Sequence, residues 1–133
     1  MNVSEWIKEN NVTMTSKAMA RRTDGLMNDP GMSHWKCVLT RPGALLTLDV
    51  AYSMGKAHTG LPVLTDVLGC VIDDVQGVEN SGPGFEGWCA EYGYDGDSRK
   101  AEKIYTAIVA QRESLTRWAG SEFPTLMELD RDD

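Results

Sequence analysis

Along the chain, the spacing of apolar residues changes period several times, and each change marks an element. Val3, Trp6 and Ile7 stand at i, i+3 and i+4 with Ser4, Glu5 and Lys8 between them. That spacing predicts a short amphipathic helix, with Asn2 as its N-cap and an end at Asn10–Asn11. Val12-Thr-Met-Thr is β-prone and predicts the beginning of a first strand. From His34 to Thr40 the pattern alternates, which puts Trp35, Cys37 and Leu39 on one face. Arg41-Pro-Gly-Ala then reads as a tight turn. Leu45 to Tyr52 returns as a partner strand, with Leu46, Leu48 and Val50 sharing a face. Beyond Pro62 the period becomes helical. Leu64, Val67, Leu68, Val71, Ile72 and Val75 form one apolar stripe, with Asp66, Asp73 and Asp74 on the wet side and Gly77 as the expected C-terminal stop.

The stretch Phe85–Tyr105, FEGWCAEYGYDGDSRKAEKIY, concentrates aromatics, turn residues and charge contrast. Phe85, Trp88, Cys89 and Tyr92 line one side of a short helix that Gly93 ends. Tyr94-Asp-Gly-Asp is a turn, and Asp97 or Ser98 caps the next helix. That helix carries Ala101, Ile104, Tyr105, Ile108, Leu115, Trp118 and Ala119 on its apolar face as far as Gly120. The order is therefore α-β-β-β-α-α-α. It predicts an α+β fold, a small three-stranded antiparallel sheet packed by helices, as a single domain over residues 1–120. Two segments fall outside this pattern. Residues 16–32 are polar and punctuated by Asp24-Gly25 and Asn28-Asp29-Pro30-Gly31, which predicts a long mobile loop. Residues 121–133 read as an acidic, partly disordered tail that frays from Pro124.

A length of 133 residues, with 41% hydrophobic and 25% charged residues, belongs to an ordinary globular chain able to bury one core. There is no 18-residue apolar run, so no membrane-spanning helix is expected. MNVSEWIKENN lacks the basic and apolar regions of a secretory signal. Cys37, Cys70 and Cys89 are odd in number and lie among apolar residues, which reads as reduced, buried thiols in a cytoplasm.

The net charge of −7 is unevenly spread. Residues 61–98 hold eight acids and no base, whereas residues 99–117 hold five bases and two acids. An acidic surface is repelled by phosphate backbones, so direct nucleic-acid binding is not expected and a basic protein or nucleoprotein is the natural partner. The plain competing explanation is that the charge keeps a small protein in solution.

Tests for specific chemistry give little. His34 and Cys37 are three apart on a strand and face opposite sides, while Cys70 and Cys89 sit on separate helices, so a zinc site is not expected. A nucleophilic pair such as Cys89 with His58 lacks any elbow or glycine-rich motif around the thiol. Asp95-Gly-Asp-Ser-Arg begins like a calcium loop, but Arg99 replaces an oxygen ligand and Thr106 stands where the twelfth-position Glu belongs. The α-β-β-β-α order also matches that of a double-stranded-RNA-binding domain, whose second helix presents lysines; here that helix carries Asp66, Asp73 and Asp74. No catalytic residue, metal or cofactor is expected.

Two surfaces remain. One is an acidic rim comprising Asp66, Asp73, Asp74, Glu91, Asp95 and Asp97, with Tyr94 exposed among the acids and available to a partner. The other is the helix start at Ser98, where Arg99, Lys100 and Lys103 could grip a phosphate or carboxylate with free N–H groups. In the competing reading these bases are neutralised by the nearby acids Asp95 and Asp97, whose closeness favours it.

Several stretches carry a resemblance. Ser33-His-Trp-Lys-Cys, Tyr52-Ser-Met-Gly, Pro62 through Asp66-Val-Leu to Cys70, Gly77-Val-Glu-Asn and Phe85-x-x-Trp-Cys-x-Glu-Tyr-Gly-Tyr-Asp-x-Asp-Ser-Arg-Lys-Ala-Glu resemble a family of small, uncharacterised proteins encoded by bacteriophages and prophages. The resemblance covers most of residues 1–120 and departs in the longer polar loop around residues 16–32. It carries over no catalytic residues. It implies a non-catalytic protein that works in the bacterial cytoplasm by stoichiometric binding. Its target would be a basic host nucleic-acid-handling or defence complex, as anti-CRISPR proteins illustrate, with loop 16–32 or the acidic block 61–97 as the contact surface. The alternative is a small anion- or phosphate-binding protein or enzyme centred on Ser98.

Overall fold

The alternating and helical stretches fold as their periods require. The computed structural model describes residues 1–19, 32–53, 62–80 and 84–130. The fold is α+β, with α1 (Val3–Glu9), β1 (Thr13–Ala18), β2 (Met32–Arg41), β3 (Ala44–Ser53), α2 (Leu64–Asn80), α3 (Gly84–Tyr92), α4 (Arg99–Ala119), a 3-10 turn (Gly120–Glu122) and α5 (Phe123–Met127). The strands form one antiparallel sheet in the order β1-β2-β3. Among the described residues no helix is long and apolar enough to cross a membrane. Two compact units can be described, Met1–Gly69 with Leu129–Asp133, and Cys70–Glu128.

In the first unit, the Asn2 side chain accepts from the Glu5 amide at 2.9 Å, while the Glu5 carboxylate accepts from the Asn2 amide at 3.2 Å. This reciprocal cap satisfies two donors that a helix start leaves open. Replacing Asn2 by Ala is expected to cost about 1 kcal/mol in chemical denaturation, with the denaturant slope unchanged. Beneath the cap, Val3 and Trp6 are buried, and the Arg41 guanidinium lies 5.8 Å from the centre of the Trp6 ring. In the sheet, Cys37 pairs with Leu48 and Leu39 with Leu46, so the four buried side chains share one face in register. The hairpin closes through Pro42-Gly43, where Gly43 takes a φ of 83° that a side chain would disfavour. Strand β1 continues to Ala18 and β2 begins at Met32, so both ends of the expected 16–32 loop belong to the sheet. The remainder of that loop, at 20–31, lies outside the described residues. So do 54–61 with His58, 81–83 and the last three residues.

The second unit holds the rest of α2 with α3, α4 and α5. Here the apolar stripe of α2 is buried at Val71, Ile72 and Val75, as it is at Val67 and Leu68 in the first unit. Two expectations for this helix fail. Gly77 does not end it, since α2 continues to Asn80. Cys70 is exposed, because it sits off the stripe that its sequence neighbours Gly69 and Val71 help to bury. The C-terminal stretch is also more ordered than expected. Pro124 occupies the first turn of α5, where its missing N–H costs nothing, and Leu126 is fully buried. The Gln76 amide donates to the Met127 carbonyl at 2.7 Å, tying the end of α5 to α2. Leu129, which belongs to the first unit, is buried, and Asp130 of that same unit forms a parallel bridge to Asn2.

Candidate functional site

In the second unit, α3 and the turn after it converge on a single ring. Trp88 is buried with Cys89, Ala101 and Ile108, and Phe85, Ile104, Tyr105 and Val78 pack against that cluster. Four aromatic rings surround the indole. Tyr94 stacks on it at 4.8 Å and 9°, Tyr105 and Tyr92 are tilted against it at 5.5 Å and 5.8 Å, and Phe85 lies at 6.4 Å. Tyr94 is therefore not free in its turn. It remains 40% exposed, but one ring face is fixed on Trp88, and its amide donates to the Cys89 carbonyl at 2.9 Å. Sequence spacing placed Tyr92 on the same side of α3 as Phe85, Trp88 and Cys89. It does meet Trp88 there, but as the last residue of α3 it is 52% exposed.

Gly77 accounts for where Tyr92 goes. A Cβ on Gly77 would stand 2.5 Å from the Tyr92 hydroxyl oxygen, so the phenol lies closely over α2 and a side chain at 77 would make it shift. Glycine inside a helix costs roughly 0.5–1 kcal/mol relative to alanine, and here that cost accompanies a close approach. Around the same spot Asp73, Gln76, Gly77, Asn80, Glu91 and Tyr92 line an open concavity of about 330 Å³.

The turn after α3 has its own order. Asp95 accepts from the Asp97 amide at 3.0 Å, and the Asp95 carbonyl accepts from the Ser98 amide at 3.0 Å. Ser98, and not Asp97, caps α4, its hydroxyl accepting from the Ala101 amide at 3.2 Å. These bonds hold Asp95 and Asp97 outward in a defined loop.

The acidic residues singled out in the sequence are distributed as follows. Glu91, Asp95 and Asp97 are exposed and, among the described residues, ion-paired with no base. Asp73 and Glu91 come together at the concavity, whereas Asp74 is exposed on α2. Asp66 is half-buried and belongs to the first unit. Glu79 differs from these, because Arg112 donates to its carboxylate and offsets its charge. Arg99, Lys100 and Lys103 are exposed. Among the described residues they form no ion pair with Asp95 or Asp97, so the expected local neutralisation is not made by direct pairing. The Ser98 hydroxyl is already engaged as a cap.

Reduced hydration and the neighbouring charge of Asp73 hold the Asp74 carboxyl above its ordinary range. A raised carboxyl disfavours the charged native form, so its effect on stability is adverse at neutral pH and relaxes as pH falls through the raised value. Asp74→Asn is therefore expected to stabilise at pH 7, by less than about 1 kcal/mol because the side chain is exposed to solvent screening. The gain should vanish once the pH drops below the unfolded carboxyl value near 4, and thermal melts across that range check it.

Both buried thiols are pushed up. Cys37 is raised by burial and by Asp49, although a 3.7 Å contact with the Ser16 hydroxyl works the other way. Cys89 is raised by burial and by Asp95 and Glu86. A raised thiol is a poorer nucleophile. His34 is buried on the β2 face opposite Cys37, and among the described residues no three His, Cys, Asp or Glu side chains gather as metal ligands.

Comparison with protein-family models, with curated proteins and with solved structures finds no match to this chain. Sequence reasoning missed the role of Tyr92 with Gly77, Gln76 and Asn80. The one available signal was a glycine inside a strong helical stripe, a position where glycine usually has a packing reason.

Proposed function

We propose that this protein acts without catalysis, by stoichiometric binding to a basic host protein or nucleoprotein. On this reading it is a phage-derived inhibitor of a nucleic-acid-handling or defence complex in the bacterial cytoplasm, and anti-CRISPR activity is its most specific form. The observation that carries the proposal is the pairing of exposed aromatics with unpaired acids. Tyr92 and Tyr94 are anchored on buried Trp88, beside Glu91, Asp95 and Asp97, which no described base offsets. Anchored aromatics contribute much of the energy at protein interfaces, and a ring of like charge steers a partner of opposite sign. The same acids oppose a direct contact with nucleic acid, so the surface competes for the basic groove of a nucleic-acid-binding protein.

Co-purification of the tagged protein from a bacterial host tests this. A nucleic-acid-handling complex should be retained at low salt and shed as salt rises, in keeping with charge-driven association. Recovery of no basic or nucleoprotein partner would count against the proposal.

A further inference from the structure

Gly77 is half-buried inside the 17-residue helix α2, a position where glycine weakens a helix relative to alanine. It stands off the apolar stripe, on the side of α2 that carries Asp73, Gln76 and Asn80, so it does not serve the packing of that stripe. What it admits is specific. A Cβ at this position would meet the Tyr92 hydroxyl oxygen at 2.5 Å and two Tyr92 ring carbons at 3.1 Å and 3.4 Å. These are its three nearest atoms outside the helix's own backbone, so the contact that glycine makes room for is with one side chain. Tyr92 and Tyr94 are both exposed beside the acids, yet they are held differently. Tyr94 lies flat on Trp88, 9° from parallel, and its amide bonds the Cys89 carbonyl, so its ring completes the cluster beneath. Tyr92 is tilted 43° against Trp88 with its phenol end on α2, and 52% of it stays open.

We infer that Tyr92 is the principal partner-contacting ring of this surface and that Gly77 is its positioning residue, setting the pose that the partner meets. An exposed tyrosine at a helix end exchanges among its χ1 wells when nothing holds it. Here the ring is propped at two points, on Trp88 and on α2, and that freedom is removed before any partner arrives. An aromatic side chain ordered in advance costs less to immobilise on binding, which is how rigid paratopes gain affinity. Glycine at 77 therefore exchanges some helix stability for a fixed contact residue. The inference rests on the binding function proposed above and assigns roles within it: Tyr92 makes the contact, Gly77 sets its pose, and Tyr94 belongs to the cluster.

The test joins NMR of the full-length, isotope-labelled protein to affinities for the nucleoprotein recovered by co-purification. It compares the parent, Gly77→Ala, Tyr92→Ala and the double variant. Gly77→Ala should melt no lower than the parent, since alanine favours the helix and the phenol end can swing clear. Its Tyr92 ring resonances should move while those of Tyr94 and Tyr105 stay in place. Its binding should fall about threefold to tenfold, the cost of ordering one side chain that is no longer held. Tyr92→Ala should lose about tenfold or more, and the double variant should bind as Tyr92→Ala alone does, because Gly77 acts only through the ring. Unmoved Tyr92 resonances in Gly77→Ala, parental affinity in either single variant, or additive losses in the double variant would overturn the inference. If no basic or nucleoprotein partner is recovered at all, the wider function fails and this assignment falls with it. A partner that binds Gly77→Ala as tightly as the parent removes the assignment alone.

Discussion

Trp88→Ala is expected to destabilise the protein by about 3–5 kcal/mol, as large-to-small changes at buried aromatics do. The ring is 4% exposed and touches Phe85, Tyr92, Tyr94 and Tyr105, so its removal leaves a cavity edged by these rings. A domain of this size has about 5–15 kcal/mol in total, so the loss should show as a much lower urea midpoint. It should also release Tyr92 and Tyr94 from their anchored positions. Tyr94→Ala provides the comparison. Its ring is stacked but 40% exposed, and the expected cost is about 1 kcal/mol. Equal losses for the two substitutions would show that Trp88 is not the centre of the cluster.

The second large effect concerns binding. A variant carrying Glu91→Lys, Asp97→Lys and Asp95→Asn should fold with a melting temperature close to the parent, yet bind its partner about 100-fold more weakly. Asn is chosen at position 95 because its side-chain oxygen can still accept from the Asp97 amide and hold the turn. Glu91 and Asp97 are exposed and unpaired among the described residues, so reversing them removes no internal bond. Circular dichroism confirms the fold and calorimetry against the recovered partner reads the affinity. Retained affinity in a folded variant would move the interface away from this rim.

These predictions draw unequally on the sequence. The hairpin was legible because alternation on both strands places Cys37 against Leu48 and Leu39 against Leu46, and a slip of one residue would expose all four. The stripe of α2 and the Asn2 cap were legible for similar reasons, since helical period and capping chemistry are local. Leu126 and Leu129 were lost in what looked like an acidic tail, since a five-residue helix is too short to show a period. Cys70 was misjudged by its sequence neighbours when its angular position on the helix, away from Val67, Leu68 and Val71, already pointed outward. For the site, the acids of the turn and the buried role of Trp88 could be read directly. The exposed setting of Tyr92 could not, because it depends on a tertiary approach to Gly77, fifteen residues earlier on another helix.

The central claim is that an acidic, aromatic-anchored surface takes the place of nucleic acid on a basic partner. The most direct test is a competition measurement, in which the recovered partner complex is immobilised with this protein bound and a nucleic acid it normally holds is added in increasing amounts. The account predicts mutual displacement, with each ligand raising the apparent dissociation constant of the other. Simultaneous binding of the protein and the nucleic acid, with neither affinity altered, would contradict it.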